Sequence, residues 1–260
     1  MSKVRLIPFA GEPELGMFRQ RRATSDYFHA SNALSAMGSS VAHTLAFWIR
    51  PEKFTTGIES PVIQMSTTSP TGTFVMSSEF VDESNSKGYL TLYRAWTVFG
   101  AWKTNLVMRA ELYRCAISYD GASAANVPIM CVNGHDVGAA VLATPSGTRT
   151  DGGDSVMVGG SVGGGLADMS TAHVACWSSA LSRAECIALS QGRSPLTMST
   201  RPDAYWPLQG TRREVISDLA TTVNGSPTFI SVRNESEAYP FAGPLTVVPF
   251  MFTNHSGMRW

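Results

Sequence analysis

The chain has 260 residues, of which 43% are hydrophobic and only 15% are charged, so it carries enough apolar side chains for a large core. Its 20 basic residues balance its 20 acidic ones, which argues against non-specific electrostatic binding to nucleic acid or to an anionic membrane. The 23 glycines favour a turn-rich β protein, built as one large domain or two small ones.

No targeting or membrane segment is visible. The N-terminal segment MSKVRLIPFAGEPELGMFRQRR lacks an apolar stretch of signal-peptide length, and no later segment is long and apolar enough to span a bilayer. The cysteines are widely spaced with no C-x-x-C pair, which predicts buried free thiols and not a disulfide or metal site. They are Cys115, Cys131, Cys176 and Cys186.

Short strands separated by turn signals dominate up to about residue 178. In VAHTLAFWIRP, Leu45, Phe47 and Ile49 alternate with small or polar residues, which predicts a strand with one buried face that ends at Pro51. NVPIMCVNGHDVGAAVL predicts a hairpin, because Asn133-Gly134 tolerates the positive φ angles of a tight turn. This succession favours an antiparallel sandwich.

The segment His173–Gly192, HVACWSSALSRAECIALSQG, breaks the β pattern. A strand over Ala172–Trp177 is followed by helical spacing, with Ser182 and Glu185 placed for a capping box and Gly192 placed to close the helix. We interpret this segment as a structural element that covers one end or edge of the sandwich, and not as a functional site.

Both ends of the chain differ from the middle. Residues 1–24 are predicted to form an N-terminal arm, and residues 235–260 an apolar arm rich in aromatics and prolines. An apolar tail of this kind packs back on its own domain or docks on a neighbouring subunit. The candidate assembly residues are Tyr239, Phe241, Phe250, Phe252 and Trp260.

Six segments follow the order seen in laminin-G-like domains: HTLAFWIRP, CAISYDG, IMCVNG, DSVMVGGS, AHVACWSSALSRAECIALSQGRSP and AYWPLQG. The chain resembles that family over roughly residues 25 to 233, most specifically in the W-x-x-x-L-S-x-x-E pattern from Trp177 to Glu185. The resemblance implies an all-β, two-sheet antiparallel jelly-roll sandwich of the concanavalin A-like type, with one short helix, over residues 25–234.

The LSQGRSP…YWPLQG ending is similar to structural proteins of tailed bacteriophages. That similarity implies a non-catalytic virion protein, either a capsid decoration or auxiliary protein or a tail component. Its partners would be other virion proteins, and its location the virion after synthesis in the host cytoplasm. We expect a homo-oligomer assembled through the terminal arms, with a trimer as the first choice.

The alternative is a carbohydrate-binding, lectin-like module that attaches to a surface polysaccharide, since relatives of this jelly roll include lectins. Exposed aromatic rings can stack on sugars, and Trp96 and Trp102 in RAWTVFGAWK are the candidates. The same two rings would also suit a subunit interface. Trp48, Trp177 and Trp206 are predicted to lie in the core.

Calcium is the one cofactor for which the sequence offers ligands. Asn133 and Asp136 in NGHD could meet Asp151 and Asp154 of RTDGGDS at one rim of the sandwich. Turn chemistry explains the same residues without a metal.

No catalytic residues are predicted. Hydrolases of this fold need alternating carboxylates on a strand, but Val81 stands between Glu79 and Glu83 in EFVDES. The five histidines lack metal-ligand spacing, and His43 and His173 are expected to be hydrogen-bonded structural residues.

Overall fold

The computed structural model describes residues 15–20, 25–30, 40–53, 60–65, 74–82, 87–149, 155–160, 168–209, 214–216 and 219–232. In these ranges the chain forms eighteen strands, one α-helix, α1 (Arg183–Ser190), and a 3₁₀ helix (Pro195–Thr197). The strands are β1 (Leu15–Gln20), β2 (Tyr27–Ala30), β3 (Ala42–Lys53), β4 (Ser60–Met65), β5 (Phe74–Asp82), β6 (Lys87–Arg94), β7 (Trp96–Val98), β8 (Gly100–Thr104), β9 (Tyr113–Asp120), β10 (Ile129–Val132), β11 (His135–Asp136), β12 (Ala139–Ala143), β13 (Ser146–Arg149), β14 (Val156–Val158), β15 (Asp168–Trp177), β16 (Ala204–Trp206), β17 (Thr222–Asn224) and β18 (Thr228–Val232).

Two antiparallel sheets make up the fold. Sheet 1 has the order β11-β10-β9-β3-β15-β1-β18, with β16 also paired to β15. Sheet 2 has the order β12-β8-β6-β5-β4-β14-β2-β17, and β7 and β13 form a separate two-stranded ribbon. The antiparallel pairings confirm the predicted class of sheet.

The inner faces of the two sheets form one core. The ring of Trp102 in sheet 2 lies 5.0 Å from the ring of Tyr119 in sheet 1, centroid to centroid, and Phe18 and Phe28 meet edge-on across the sheets at 5.8 Å. All four side chains are at least 99% buried. Burying a side chain of this size stabilises the fold by about 1.5–3 kcal/mol, so these contacts fix how the sheets pack.

Strand β3 shows why its sequence alternates. Leu45, Phe47 and Ile49 point into the core and are fully buried, as predicted. The prediction that Pro51 ends the strand is wrong, because β3 continues to Lys53. Pro51 stands opposite Met169 beside a shift in strand register, the kind of position that accommodates a residue without a backbone N–H.

Helix α1 begins with the predicted capping box. The Glu185 backbone N–H donates to Ser182 Oγ at 3.3 Å, and the Ser182 backbone N–H donates to Glu185 Oε2 at 2.9 Å. The helix contacts β9, β10 and β11, and so covers sheet 1 near one edge, as expected. In the part of the chain that the structure describes, no helix is long and apolar enough to cross a membrane.

The predicted hairpin and the predicted thiols are both confirmed. Asn133 and Gly134 have φ angles of 48° and 84°, which is the tight-turn geometry expected between β10 and β11. The four cysteines are buried and free.

We expect Ser182→Ala to lower the free energy of unfolding by about 1 kcal/mol, because it removes the acceptor for the Glu185 N–H. Denaturant unfolding measures the difference. The control is Ser226→Ala, an exposed serine whose hydroxyl makes no hydrogen bond among the described residues, and which should change stability by less than about 0.5 kcal/mol. Equal effects of the two substitutions would contradict a stabilising role for the cap.

Candidate functional site

A pocket of about 120 Å³ lies on the outer face of sheet 1, beside the C-terminal end of α1. We call it the helix-end pocket, and define it by Trp48 of β3, His173 of β15, Tyr205 of β16, and Gly192, Arg193 and Ser194 of the segment that follows α1. Its volume is below the range of about 300–1,000 Å³ for pockets that enclose a drug-sized molecule. It therefore accommodates one small group of a ligand and not a whole oligosaccharide.

Small side chains bring the helix close to the sheet. Ala46, Ala116 and Ala175 lie on the outer face of β3, β9 and β15 and pack with Leu189 of α1 in one buried cluster. Because alanine projects only a methyl group, the helix lies near the strand backbone and is buried along one face. Two residues further along β3, at the next position on the same face, the side chain is the large Trp48 instead of an alanine, and the pocket lies there.

The end of α1 turns the chain over the pocket. Gly192 adopts a φ of +99°, its N–H donates to the Leu189 carbonyl at 2.9 Å, and the Arg193 N–H donates to the Ala188 carbonyl at 3.0 Å. This pair of bonds is the Schellman ending, in which glycine takes the left-handed position at little cost. The predicted role of Gly192 is confirmed, and the same turn places Arg193 and Ser194 on the pocket lining.

A backbone bulge positions His173. Ala172 pairs with Trp48 and Ala175 with Ala46, so β15 carries one residue more than β3 over this stretch. His173 takes a φ of +52° there, and its N–H donates to the Pro207 carbonyl at 2.9 Å. The bulge turns a strand residue toward the outer face, next to Trp48, with ring centroids 4.4 Å apart.

The imidazole of His173 is held from both sides. Its Nδ1 lies 2.6 Å from the Tyr205 hydroxyl and its Nε2 lies 2.9 Å from Gln209 Nε2. Each contact carries one proton, and the tautomer of the neutral ring decides which partner donates it. Among the described residues His173 is the only hydrogen-bond partner of the Tyr205 hydroxyl, so that hydroxyl keeps at least one bonding position for a ligand.

Burial, aided by the positive charge of Arg114, lowers the pKa of His173 from 6.5 to about 4. Burial also raises the pKa of Tyr205 to about 12. At neutral pH the pocket therefore presents an uncharged imidazole and a protonated phenol.

Arg114 of β9 stands at the rim of the pocket. Its guanidinium lies 4.7 Å from the centre of the Trp48 ring, over its face, and its Nη1 donates to the Gln191 carbonyl at 3.3 Å. A Cβ placed on Gly192 would lie 3.5 Å from the same guanidinium. The arginine thus connects the aromatic side of the pocket with the end of the helix, where a cation is favoured by the helix dipole.

The structure separates the two tryptophans predicted to bind sugar. Trp102 lies in β8 and is 1% exposed, so its ring belongs to the core and is not presented at the surface, which corrects the surface placement expected from the sequence. Trp96 lies in β7, half-buried, beside the exposed side chains of Val98 and Phe99. Its role in a ligand site or in a subunit interface stays a prediction.

The two described calcium candidates are engaged in other contacts. Asn133 Oδ1 accepts from the Arg114 backbone N–H at 2.9 Å, while Asp136 accepts from the Gly138 N–H and pairs with Arg183 at 3.1 Å. Within the described ranges, no group of three or more His, Cys, Asp or Glu residues is arranged to hold a metal. Asp151 and Asp154 lie outside the described residues, so the four-ligand site stays a prediction.

The predicted assembly residues also lie outside the described residues, together with most of both predicted arms. They are Tyr239, Phe241, Phe250, Phe252 and Trp260. Glu83 is outside as well, and Glu79 is described only by its place in β5, where it pairs with Tyr89 of β6.

The sequence predicts Trp48 in the core, and the structure corrects this placement. The segment His173–Gly192 forms the predicted strand and helix of the scaffold, and it also contributes residues to the pocket. Trp177 and Trp206 are fully buried as predicted, whereas Trp48 is half-buried and lines the pocket on the outer face. The signal was present in the alternation of β3, since a residue between inward-facing Phe47 and Ile49 must face outward. The expected hydrogen-bonded role of His43 is confirmed, with its Nδ1 at 3.0 Å from Arg94 Nη1.

No protein-family model matches the chain, and no curated protein sequence matches it. Among solved structures, the fold is similar to a heptameric SAP-like pentraxin from Limulus polyphemus, with a TM-score of 0.57 and 12% identity over 86% of this chain and 99% of that one. It is also similar to a candidate carbohydrate-binding protein from Bacteroides ovatus ATCC 8483, with a TM-score of 0.60 and 13% identity over 85% of this chain and 61% of that one.

These similarities define the class of the fold. Over the described residues the chain is an all-β, two-sheet antiparallel jelly roll with the concanavalin A-like fold and one short α-helix, as the sequence predicted. Identities of 12% and 13% show a shared fold and leave the ligand to be argued from the site.

The pKa of His173 predicts a pH dependence of stability. The unfolded chain takes up this proton near pH 6.5 and the folded chain only near pH 4. The free energy of unfolding should therefore decrease as the pH is lowered from 6.5 to 4, and this group should contribute about 1–3 kcal/mol to the decrease. His173→Asn removes the titration, and asparagine tolerates the left-handed φ. Its unfolding free energy should fall less than that of the parent over this range.

Chemical denaturation at pH 7, 5.5 and 4.5 measures this difference. The control is His135→Asn, which removes an exposed histidine of β11 and should keep the pH profile of the parent. A His173→Asn profile that runs parallel to the parent would show that His173 is not the group responsible.

Proposed function

We propose that this chain is a non-catalytic carbohydrate-binding protein and that the helix-end pocket is its sugar site. The observation that carries the proposal is the combination of an aromatic ring, Trp48, with the Tyr205 hydroxyl, whose only hydrogen-bond partner among the described residues is His173. Sugars present apolar C–H faces and hydroxyl groups together, so a site for them needs both kinds of contact.

The polar groups of the pocket are already held in place. His173 is fixed by Tyr205 and Gln209, and Ser194 Oγ accepts from the Leu196 N–H at 3.3 Å. Side chains that are held before the ligand arrives lose little entropy on binding, which favours affinity in a small site. The pocket is therefore prepared to hold part of one sugar unit of a longer glycan.

The fold adds support of a general kind. The Bacteroides ovatus protein, which covers 85% of this chain in the comparison, is described as a candidate carbohydrate-binding protein, and the pentraxin has the same lectin-like fold. A sugar ligand for this chain would be in keeping with those proteins.

The chemistry of the pocket favours binding over hydrolysis. Glycoside hydrolysis uses a pair of carboxylates that flank the scissile bond. Among the described residues that line the pocket there is no aspartate or glutamate, and the imidazole and phenol are held in their neutral forms at pH 7.

The virion role stays a prediction, because it rests on the resemblance of the sequence alone. A glycan-binding module carried on a phage particle would satisfy both hypotheses. The predicted trimer and the predicted docking of residues 235–260 likewise stay predictions.

Trp48→Ala should lower the affinity for a glycan by at least about tenfold, since it removes the apolar contact of the pocket. Tyr205→Phe should lower it by about three- to tenfold, because it removes one hydrogen-bonding hydroxyl and leaves the packing nearly unchanged. A glycan array with neutral and acidic oligosaccharides identifies the binder, and isothermal titration calorimetry measures its affinity. Circular dichroism melting verifies that each variant is folded.

Trp96→Ala is the matched control, since Trp96 lies in the β7–β13 ribbon and does not line the pocket. This variant should bind like the parent. Loss of binding in Trp96→Ala with full binding in Trp48→Ala would move the sugar site to the β7 edge and contradict the proposal for the helix-end pocket.

A further inference from the structure

Two arginines carry the charge at the helix-end pocket. Arg193 lines it directly, and Arg114 lies at its rim, against both Trp48 and Gly192. Both belong to elements whose positions are fixed, since Arg114 is in β9 and Arg193 closes the Schellman ending of α1. The fold thus fixes the backbone of both arginines beside one pocket.

Neither arginine is neutralised by a carboxylate in the described part of the chain. Arg114 donates to the Gln191 carbonyl, and Arg193 donates to the Thr197 carbonyl at 3.1 Å and to the Thr197 hydroxyl at 3.5 Å. Two ion pairs of the described residues, Arg19–Glu52 and Arg183–Asp136, involve neither of these arginines.

The nearby carboxylates have other partners. Glu52 accepts from Arg19 and from the Ser170 hydroxyl. Glu214, which is 1% exposed, accepts from the backbone N–H groups of Tyr205 and Ile216 at 2.7 and 2.8 Å. The positive charge at the pocket is therefore not taken up by these two carboxylates.

The guanidinium of Arg114 lies over the Trp48 ring and keeps N–H groups for an anion. Among the described residues only its Nη1 is hydrogen-bonded, to the Gln191 carbonyl, and the other N–H groups can bond a carboxylate or sulfate. The charge is also felt inside the pocket, because Arg114 contributes to the lowered pKa of His173.

We infer that the helix-end pocket binds an acidic sugar, whose carboxylate or sulfate is held by Arg114 and Arg193 while its ring lies against Trp48. This inference rests on the proposed function and names the class of its ligand. A neutral sugar would satisfy the Tyr205 hydroxyl but leave both guanidinium groups without a partner of opposite charge. An acidic sugar satisfies all three groups at once.

The test compares two ligand pairs that differ only in charge. Polygalacturonate and its fully methyl-esterified form isolate the carboxylate, and dextran sulfate and dextran isolate the sulfate. We expect the full chain to bind at least one acidic member about tenfold or more tightly than its neutral counterpart, as measured by titration calorimetry at low salt. Which pair shows the difference identifies the oxyanion.

The variants assign the preference to the pocket. Arg114→Gln and Arg193→Gln should each reduce the affinity for the acidic glycan by about tenfold, and should reduce the affinity for its neutral counterpart by clearly less, so that the preference for the acidic member shrinks. Arg183→Gln is the matched control, because it removes one positive charge from the opposite end of α1, where the arginine pairs with Asp136. It should keep the preference. Melting curves confirm that all three variants fold.

Two results would overturn the inference. Equal binding of the charged and neutral members of both pairs would show that the pocket does not select acidic sugars; if that binding is lost in Trp48→Ala, the proposed function stands without this refinement. An equal loss in Arg183→Gln would show that total charge, and not the pocket, determines binding. Absence of binding to both acidic members would overturn this inference, and absence of binding to every glycan of the array would overturn the proposed function as well.

Discussion

The close contact between α1 and a patch of alanines on sheet 1 is the constraint from which the pocket arises. Ala46, Ala116 and Ala175 let the helix approach the strands, and Leu189 and Cys186 fill the space between them. Larger residues at the three alanine positions would lift the helix from the sheet, at a cost of about 1–3 kcal/mol each for overpacking. Since the helix end forms one side of the pocket, its geometry depends directly on this contact.

The bulge in β15 is the second element on which the site depends. Without the extra residue, His173 would continue the strand alternation, and its ring would not meet both Trp48 and Tyr205. The His173 N–H donates to the Pro207 carbonyl, so the backbone N–H of the bulged residue remains hydrogen-bonded. Irregularities of this kind are often found where a sheet aims a side chain at a ligand, and the neutral, doubly hydrogen-bonded imidazole is in keeping with such a use.

Local chemistry explains which elements were predictable. The Ser182 capping box and the Asn133-Gly134 turn are specified by a few neighbouring residues, and both are present in the structure. The orientation of Trp48 also follows from the alternation of β3, although the ring was assigned to the core. The pocket itself could not be predicted, because it depends on the bulge at His173 and on how the chain after α1 crosses β3, and no local pattern specifies either.

The most direct test of the account is a proton–nitrogen NMR spectrum of the six tryptophan indoles during titration with a short oligogalacturonate. Each indole gives its own resonance, and single Trp→Phe variants assign them. We predict that the Trp48 resonance shifts progressively to saturation and that the chemical shifts of Trp96 and Trp177 do not change. A saturable shift of Trp96 with an unchanged Trp48 would contradict the assignment of the sugar site to the helix-end pocket.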